Sequence, residues 1–171
     1  MTSISVSRLV ILTVCLAEAM WTLVPASRAD GTTILGARDT AFNDRNDSTS
    51  NGAGRYACVG QNGQSSSSRG LFRFDVSSIP AGATINEVFL DLWLSPNSQG
   101  PTTGLIDVHL LLEDWGEGTS DAPQGECQGA PAAANDATWD YRFYPGSPWA
   151  TLGGTFVSLP SASLSVSNSG V

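Results

Sequence analysis

From Arg69 to Leu94 the chain repeats every two residues, and that period leaves little choice of secondary structure. Phe72, Phe74 and Val76 alternate with Arg73 and Asp75, while Val88, Leu90, Leu92 and Leu94 alternate with Phe89, Asp91 and Trp93. A strand sends successive side chains to opposite faces, so two strands are predicted. Residues 77–83, with Pro80 and Gly82, supply the turn that joins them as a central pair. The same alternation runs through residues 105–113, with Ile106, Val108, Leu110 and Leu112 on one face. Shorter strands are predicted at 32–35, 55–60, 138–144 and 154–159, separated by connectors rich in Gly, Pro, Asn and Ser. No segment carries a useful length of helical periodicity. The expectation is an all-β chain, an antiparallel β-sandwich of jelly-roll type.

The N-terminus reads differently. Residues 1–29 contain Arg8, an apolar run over residues 9–17, and small residues at Ser27 and Ala29, the pattern of an export signal cleaved after Ala29. The apolar run is too short to span a membrane, and no membrane association is expected after cleavage. One β domain is expected over residues 30–160. Residues 161–171 form a low-complexity Ser/Val tail without a strand as strong as those at the centre, and the chain is read as C-terminally truncated, missing its last strands.

The formal charge is −8, all eight cations are arginine, and there is no lysine. Loss of Arg8, Arg28 and Glu18 with the leader makes the remainder more acidic still. Such a surface repels phosphate backbones and anionic lipid, so nucleic acid is not an expected partner. Two cysteines, Cys58 and Cys127, remain beyond the leader in a compartment where disulfides persist. A single bridge and two unpaired buried thiols are both open at this level.

Three motifs in order carry a family resemblance. They are Arg69-Gly-Leu-Phe-Arg-Phe-Asp-Val-Ser-Ser-Ile-Pro-Ala-Gly-Ala-Thr-Ile85, Val108-His-Leu-Leu-Leu-Glu-Asp-Trp-Gly-Glu-Gly118 and Ala137-Thr-Trp139. Together, over roughly residues 33–154, the chain resembles secreted bacterial DNRLRE-domain proteins, a group similar to a carbohydrate-binding-module family that includes alginate binders. The resemblance implies a jelly-roll module on exported proteins without catalytic residues of its own. The C-terminal segment that names the domain is absent here.

Candidate sites follow from residue chemistry. Residues 139–149 concentrate Trp139, Tyr141, Phe143, Tyr144 and Trp149 beside Asp140 and Arg142. A pyranose stacks its C–H face on an aromatic ring while its hydroxyls seek polar partners, so Trp149, Tyr144, Tyr141 and Arg142 are candidate polysaccharide-binding residues, against the plainer reading of a large loop whose aromatics bury themselves over the open end of a sandwich. Trp139 falls in the third motif, and the resemblance implies a core position for it. Arg73, with Arg69 and Asp75, offers a guanidinium for a sugar carboxylate, against the plainer reading of a cross-strand ion pair. Asp114, Glu117 and Asp121 around Trp115 are candidate ligands for a structural calcium, and Asp39, Asp44, Asn46 and Asp47 form a second acidic group. Neither has EF-hand spacing, and solvated acidic loops are the competing reading.

Glycoside hydrolysis needs two carboxyls across a cleft. Glu113, Glu117 and Glu126 are available, but nothing in the sequence places two of them together. His109 is the sole histidine and is expected to be structural. The leading expectation is an exported, non-catalytic polysaccharide-binding module. A structural or adhesive surface protein that self-associates through an open sheet edge is the alternative, followed by a polysaccharide-acting enzyme.

Overall fold

The computed structural model describes residues 2–7, 31–61, 65–95 and 103–167. Among them there is no helix, and the chain is all-β. The strands are β1 (Thr2–Ser7), β2 (Gly36–Asn43), β3 (Thr49–Ser50), β4 (Gly60–Gln61), β5 (Ser67–Phe74), β6 (Phe89–Leu94), β7 (Thr103–Val108), β8 (Ala130–Pro131), β9 (Tyr141–Phe143), β10 (Ser147–Pro148) and β11 (Ala162–Ser167). They form antiparallel sheets of two or three strands, β2-β5-β4, β1-β6, β11-β7, β9-β10 and β3-β8. Of the expected leader, residues 2–7 are the strand β1, paired with β6, and residues 8–30 lie outside the described residues.

The two strong strands form, but not with each other. β5 pairs with β2 and β4, and β6 pairs with β1. A two-residue period specifies a strand and its faces; the partner is specified by whichever strand packs alongside. The predicted strand at 32–35 is displaced into β2, and residues 55–59 are irregular, with Tyr56 tied through its N–H to Glu126 at 3.3 Å. The stretch 105–113 yields β7, then an isolated bridge from Leu111 to Phe156. Within the tail read as low complexity, residues 162–167 are a strand, β11, on β7, and residues 168–171 lie outside the described residues.

The core lies on one face of the β2–β5 ribbon. Cross-strand partners share a face, so Arg38, Thr40 and Phe42 stand with Arg73, Leu71 and Arg69. Phe42 and Leu71 pack with Trp115, Ala137 and Trp149, joined at the margin by Leu111 and Trp139. The alternation in β5 therefore places Leu71 with two arginines on the core side, and leaves Phe72 37% exposed on the other. Guanidiniums replace side chains there by lying over tryptophans: Arg38 is 5.6 Å from the Trp115 centroid and Arg69 is 4.7 Å from that of Trp139.

The opposite face is covered by loops that Cys58 and Cys127 join. These residues form a disulfide with Cα atoms 5.2 Å apart. Glu126, next to Cys127, fastens the same two loops by accepting from Asn51 Nδ2 (2.8 Å), Arg55 N (2.9 Å) and Tyr56 N (3.3 Å). Asn51, buried, also accepts from Ala122 N at 3.0 Å, so the Asn-Gly step at 51–52 is anchored inward.

The long irregular region 114–137 is organised by Asp136, which is fully buried. Its Oδ1 accepts from Thr119 N (2.7 Å), and its Oδ2 accepts from Ala133 N (2.7 Å) and the Ser120 hydroxyl. One carboxylate thus supplies the loops with the acceptors that a regular ladder would otherwise provide. Gly118, at φ +72°, permits this approach, because a Cβ there would collide with Asp136.

Candidate functional site: an aromatic hairpin

Residues 139–149 form a hairpin, β9 against β10, closed by Gly146 N donating to Phe143 O at 3.0 Å and containing a cis Tyr144–Pro145 bond. The β9 side is fixed. Gly116 N donates to Arg142 O (3.0 Å), Asn135 N to Tyr144 O (2.8 Å), and Tyr144 N to Asp136 O (2.8 Å), so the hairpin extends the Asp136 network. The Tyr141 and Tyr144 rings meet edge to face at 5.4 Å and 89°, and both are half-buried. This geometry suits two quadrupoles and holds the pair against a scaffold with little freedom to lose on binding.

Trp149 is not part of that surface. It is 5% exposed, packs in the core against Phe42 at 6.4 Å, and donates Nε1–H to Thr138 O at 2.9 Å. A ring so enclosed has no face for a sugar, which corrects the expectation from sequence. Trp139, expected in the core, lies half-buried at its margin beneath Arg69. Neither position was decidable from an aromatic run in which every residue type suits core and surface alike.

Arg142 turns to Glu113, with Nε 3.8 Å from Oε1, and stacks at 5.4 Å over Phe143. The Glu113 carboxyl also accepts from Ala150 N at 3.1 Å. A hydrogen bond from Thr155, then that from Ala150, hold its pKa below the ordinary value, with Arg142 adding to them and desolvation opposing. Asp140 is shifted upward, chiefly by desolvation and further by Asp47. It therefore takes up a proton more readily than an ordinary aspartate.

Arg73 is held elsewhere. It pairs with Asp114 (Nη1 to Oδ1, 2.6 Å), and Arg38, its cross-strand partner, reaches the same oxygen at 3.6 Å. The ion pair expected with Asp75 is thus replaced by one carboxylate between two guanidiniums, while Asp75 accepts from Ser77 N at 2.9 Å. Consecutive residues Glu113 and Asp114 serve Arg142 and Arg73 respectively.

The candidate calcium ligands are not brought together. Asp114 faces the arginines, Glu117 Oε1 accepts from Asp39 N at 3.1 Å, and Asp121 is exposed. In the second acidic group, Asp44 accepts from Ser66 Oγ (2.7 Å) and Ser67 N (2.9 Å). No cluster of three or more His, Cys, Asp or Glu side chains suited to a metal occurs among the described residues. His109 places Nδ1 2.8 Å from Val157 O; a carbonyl only accepts, so Nδ1 carries the proton and the ring rests at 4.8 Å from Phe156.

A pocket of about 10 Å³ lies beside the disulfide, lined by Phe42, Asn43, Cys58 and Cys127 among others. That is smaller than the roughly 300 Å³ at which sites for drug-sized ligands begin. The exposed hairpin is the better candidate. The supports that sequence reasoning missed are the buried Asp136 and Asn51 and the half-buried Glu126, whose only signal was an acid or amide beside turn residues. A scan against protein-family models finds no match, and searches of curated proteins and of solved structures find none either.

Proposed function

We propose that this chain is an exported, non-catalytic β-sandwich module of jelly-roll type that binds extracellular or cell-wall polysaccharide. The observation that carries this reading is the Tyr141–Tyr144 pair, two perpendicular half-exposed rings on a hairpin hydrogen-bonded along its β9 side to neighbouring loops. Sugars stack on aromatic faces, and a pre-positioned pair binds without ordering a mobile loop. The Cys58–Cys127 disulfide supports an oxidising destination, at the cell surface or beyond it. The DNRLRE resemblance points the same way.

Affinity electrophoresis through alginate, pectin or a soluble cellulose derivative tests the reading. Retardation by one of them, lost in Tyr144→Ala at unchanged melting temperature, is the expected result. Unaltered mobility in all three would overturn it. Repeating the run with chelator shows whether calcium belongs to the site.

A second reading, self-association as a structural or adhesive surface protein, is favoured by a separate observation. The strands β6 and β7 leave Phe89 52%, Trp93 70% and Leu105 66% exposed. Two-stranded ribbons are marginal in water by themselves, and apolar side chains on them favour a covering partner. Concentration-dependent light scattering without glycan retardation would select this reading.

A further inference from the structure

Two strands of this chain are near copies. β1 reads Thr2-Ser-Ile-Ser-Val-Ser7 and β11 reads Ala162-Ser-Leu-Ser-Val-Ser167. Each is one half of a two-stranded antiparallel ribbon, β1 on β6 and β11 on β7. Their registers correspond. Ile4 and Val6 stand opposite Leu92 and Leu90, as Leu164 and Val166 stand opposite Ile106 and Gly104. The serines of β1 stand opposite Trp93, Asp91 and Phe89, and those of β11 opposite Asp107, Leu105 and Thr103. In the second ribbon, Ser163 Oγ donates to Asp107 Oδ1 at 2.5 Å. The chain thus holds two strands of the one pattern that completes β6.

β1 belongs to the segment read as a leader. On the reading that the protein is exported, β1 leaves with residues 1–29, and β6 loses its one strand partner among the described residues. The second edge of β11 is hydrogen-bonded to no other strand among them. Natural sheets guard such edges with lysine, proline or inward charge. Here the chain has no lysine, β11 has neither charge nor proline, and Asp91 is the sole charge on β6.

We propose that in the exported protein the free edge of β11 from a second copy adds to β6 in the register that β1 holds. Leu164 then stands opposite Leu92, Val166 opposite Leu90, and Ser165 opposite Asp91, where the hydroxyl repeats the Ser163–Asp107 hydrogen bond. The donor keeps its own β7–β11 pairing. The contact joins different surfaces of the two copies, so every addition leaves another β6 and another β11 edge free, and copies add head to tail. The proposal rests on the export reading and is independent of glycan binding.

The test expresses the whole chain in an exporting host and recovers the protein from outside the cytoplasm. Expected are an N-terminus lacking residues 2–7 by mass spectrometry, and a light-scattering mass that rises with concentration past that of two copies. A synthetic peptide of the β1 sequence should lower that mass. An Asp91→Cys variant mixed with a Ser165→Cys variant should form disulfide-linked pairs faster than either variant alone. An N-terminus that retains residues 2–7 would overturn the proposal together with the export reading. A processed protein of constant single-copy mass, or an Asp91→Cys/Ser165→Cys double variant whose new disulfide closes within one chain, would overturn strand addition and leave the export reading standing.

Discussion

Arg69 lies with its guanidinium 4.7 Å from the Trp139 centroid and 5.0 Å from that of Phe156, and its Nη1 donates to Gly153 O at 2.6 Å. The arginine is a packing element that closes the end of the core and ties β5 to residues 151–156. Gly153 is required there: its φ is +78°, and a Cβ would sit 2.9 Å from the Trp139 ring. Arg69→Met should cost about 1–3 kcal/mol from the lost carbonyl bond and cation–π contact. Arg69→Lys should recover only part, because an ammonium lacks the planar fork that stacks and donates together. Urea midpoints of the three proteins check this order, and a lysine variant as stable as wild type would refute it.

Asp136 carries a larger share of stability. Asp136→Ala removes a fully buried carboxylate that accepts from Thr119 N, Ala133 N and the Ser120 hydroxyl, and leaves Ser120 with Pro131 O and Ala133 N with Ser120 Oγ as their remaining acceptors. Hydrogen bonds to a charged group contribute roughly 1.5–3 kcal/mol each, so losing three of them is expected to cost about 3 kcal/mol or more. Hydrogen exchange should show the added opening concentrated in residues 116–137. A uniform small loss would mean that Asp136 is not the hub.

What was legible in the sequence divides along physical lines. Period two is a local property, so the strands around Leu71 and Leu92 and the absence of helix among the described residues could be read from it. Pairing is not local, and β5 and β6, adjacent in sequence, found other partners. The tail carried the same period, but serine at every second position reads as low complexity, and only its register against β7 gives it a face. The site shows the same division. The aromatic density of residues 139–149 was visible, whereas the exchange of roles between Trp149 and Trp139 depended on Thr138 O accepting one indole and Arg69 covering the other.

The disulfide should be a principal stabiliser of the loops behind β2. Cys58 and Cys127 are separated by 69 positions, and closing a loop of that length restricts the unfolded chain by about 4 kcal/mol. A Cys58→Ser/Cys127→Ser double variant is expected to lose roughly 2–5 kcal/mol. Glu126 keeps the two loops together without the bond, so the variant should still fold at low temperature. Thermal melts with and without reductant check this; a reduced protein as stable as the oxidised one would contradict it.

Glu126 also gives the fold an acid sensitivity. Its pKa is lowered chiefly by the hydrogen bond from Asn51, with Arg55 N, Tyr56 N and the Arg55 charge adding to it and desolvation opposing. A folded pKa below the unfolded one contributes stability that is complete above the ordinary carboxylate range and is lost as pH falls through the folded value. Asp39, raised by desolvation and by Glu117, has the opposite sign and gains from protonation. The difference between wild type and Glu126→Gln isolates the first contribution. Wild type should be the more stable at pH 7, and the gap should close below about pH 4. Urea midpoints measured across that range check it, and a gap independent of pH would contradict the assignment.

The two kinds of aromatic residue in the hairpin should separate under mutation. Trp149→Phe removes an indole N–H from Thr138 O and core volume beside Phe42, so it should lower stability by about 1–3 kcal/mol. Where the variant folds, polysaccharide retention should be unchanged. Tyr144→Ala removes one partner of an edge-to-face pair worth about 0.5–1.5 kcal/mol, a smaller loss in a half-exposed ring. Its retention should fall to that of a non-binding control, and Tyr141→Ala should behave likewise, because each ring holds the other in place. Stability is read from thermal melts and retention from affinity electrophoresis on the same preparations. If Trp149→Phe abolished retention while Tyr141→Ala and Tyr144→Ala kept it, the binding surface would lie away from the tyrosines.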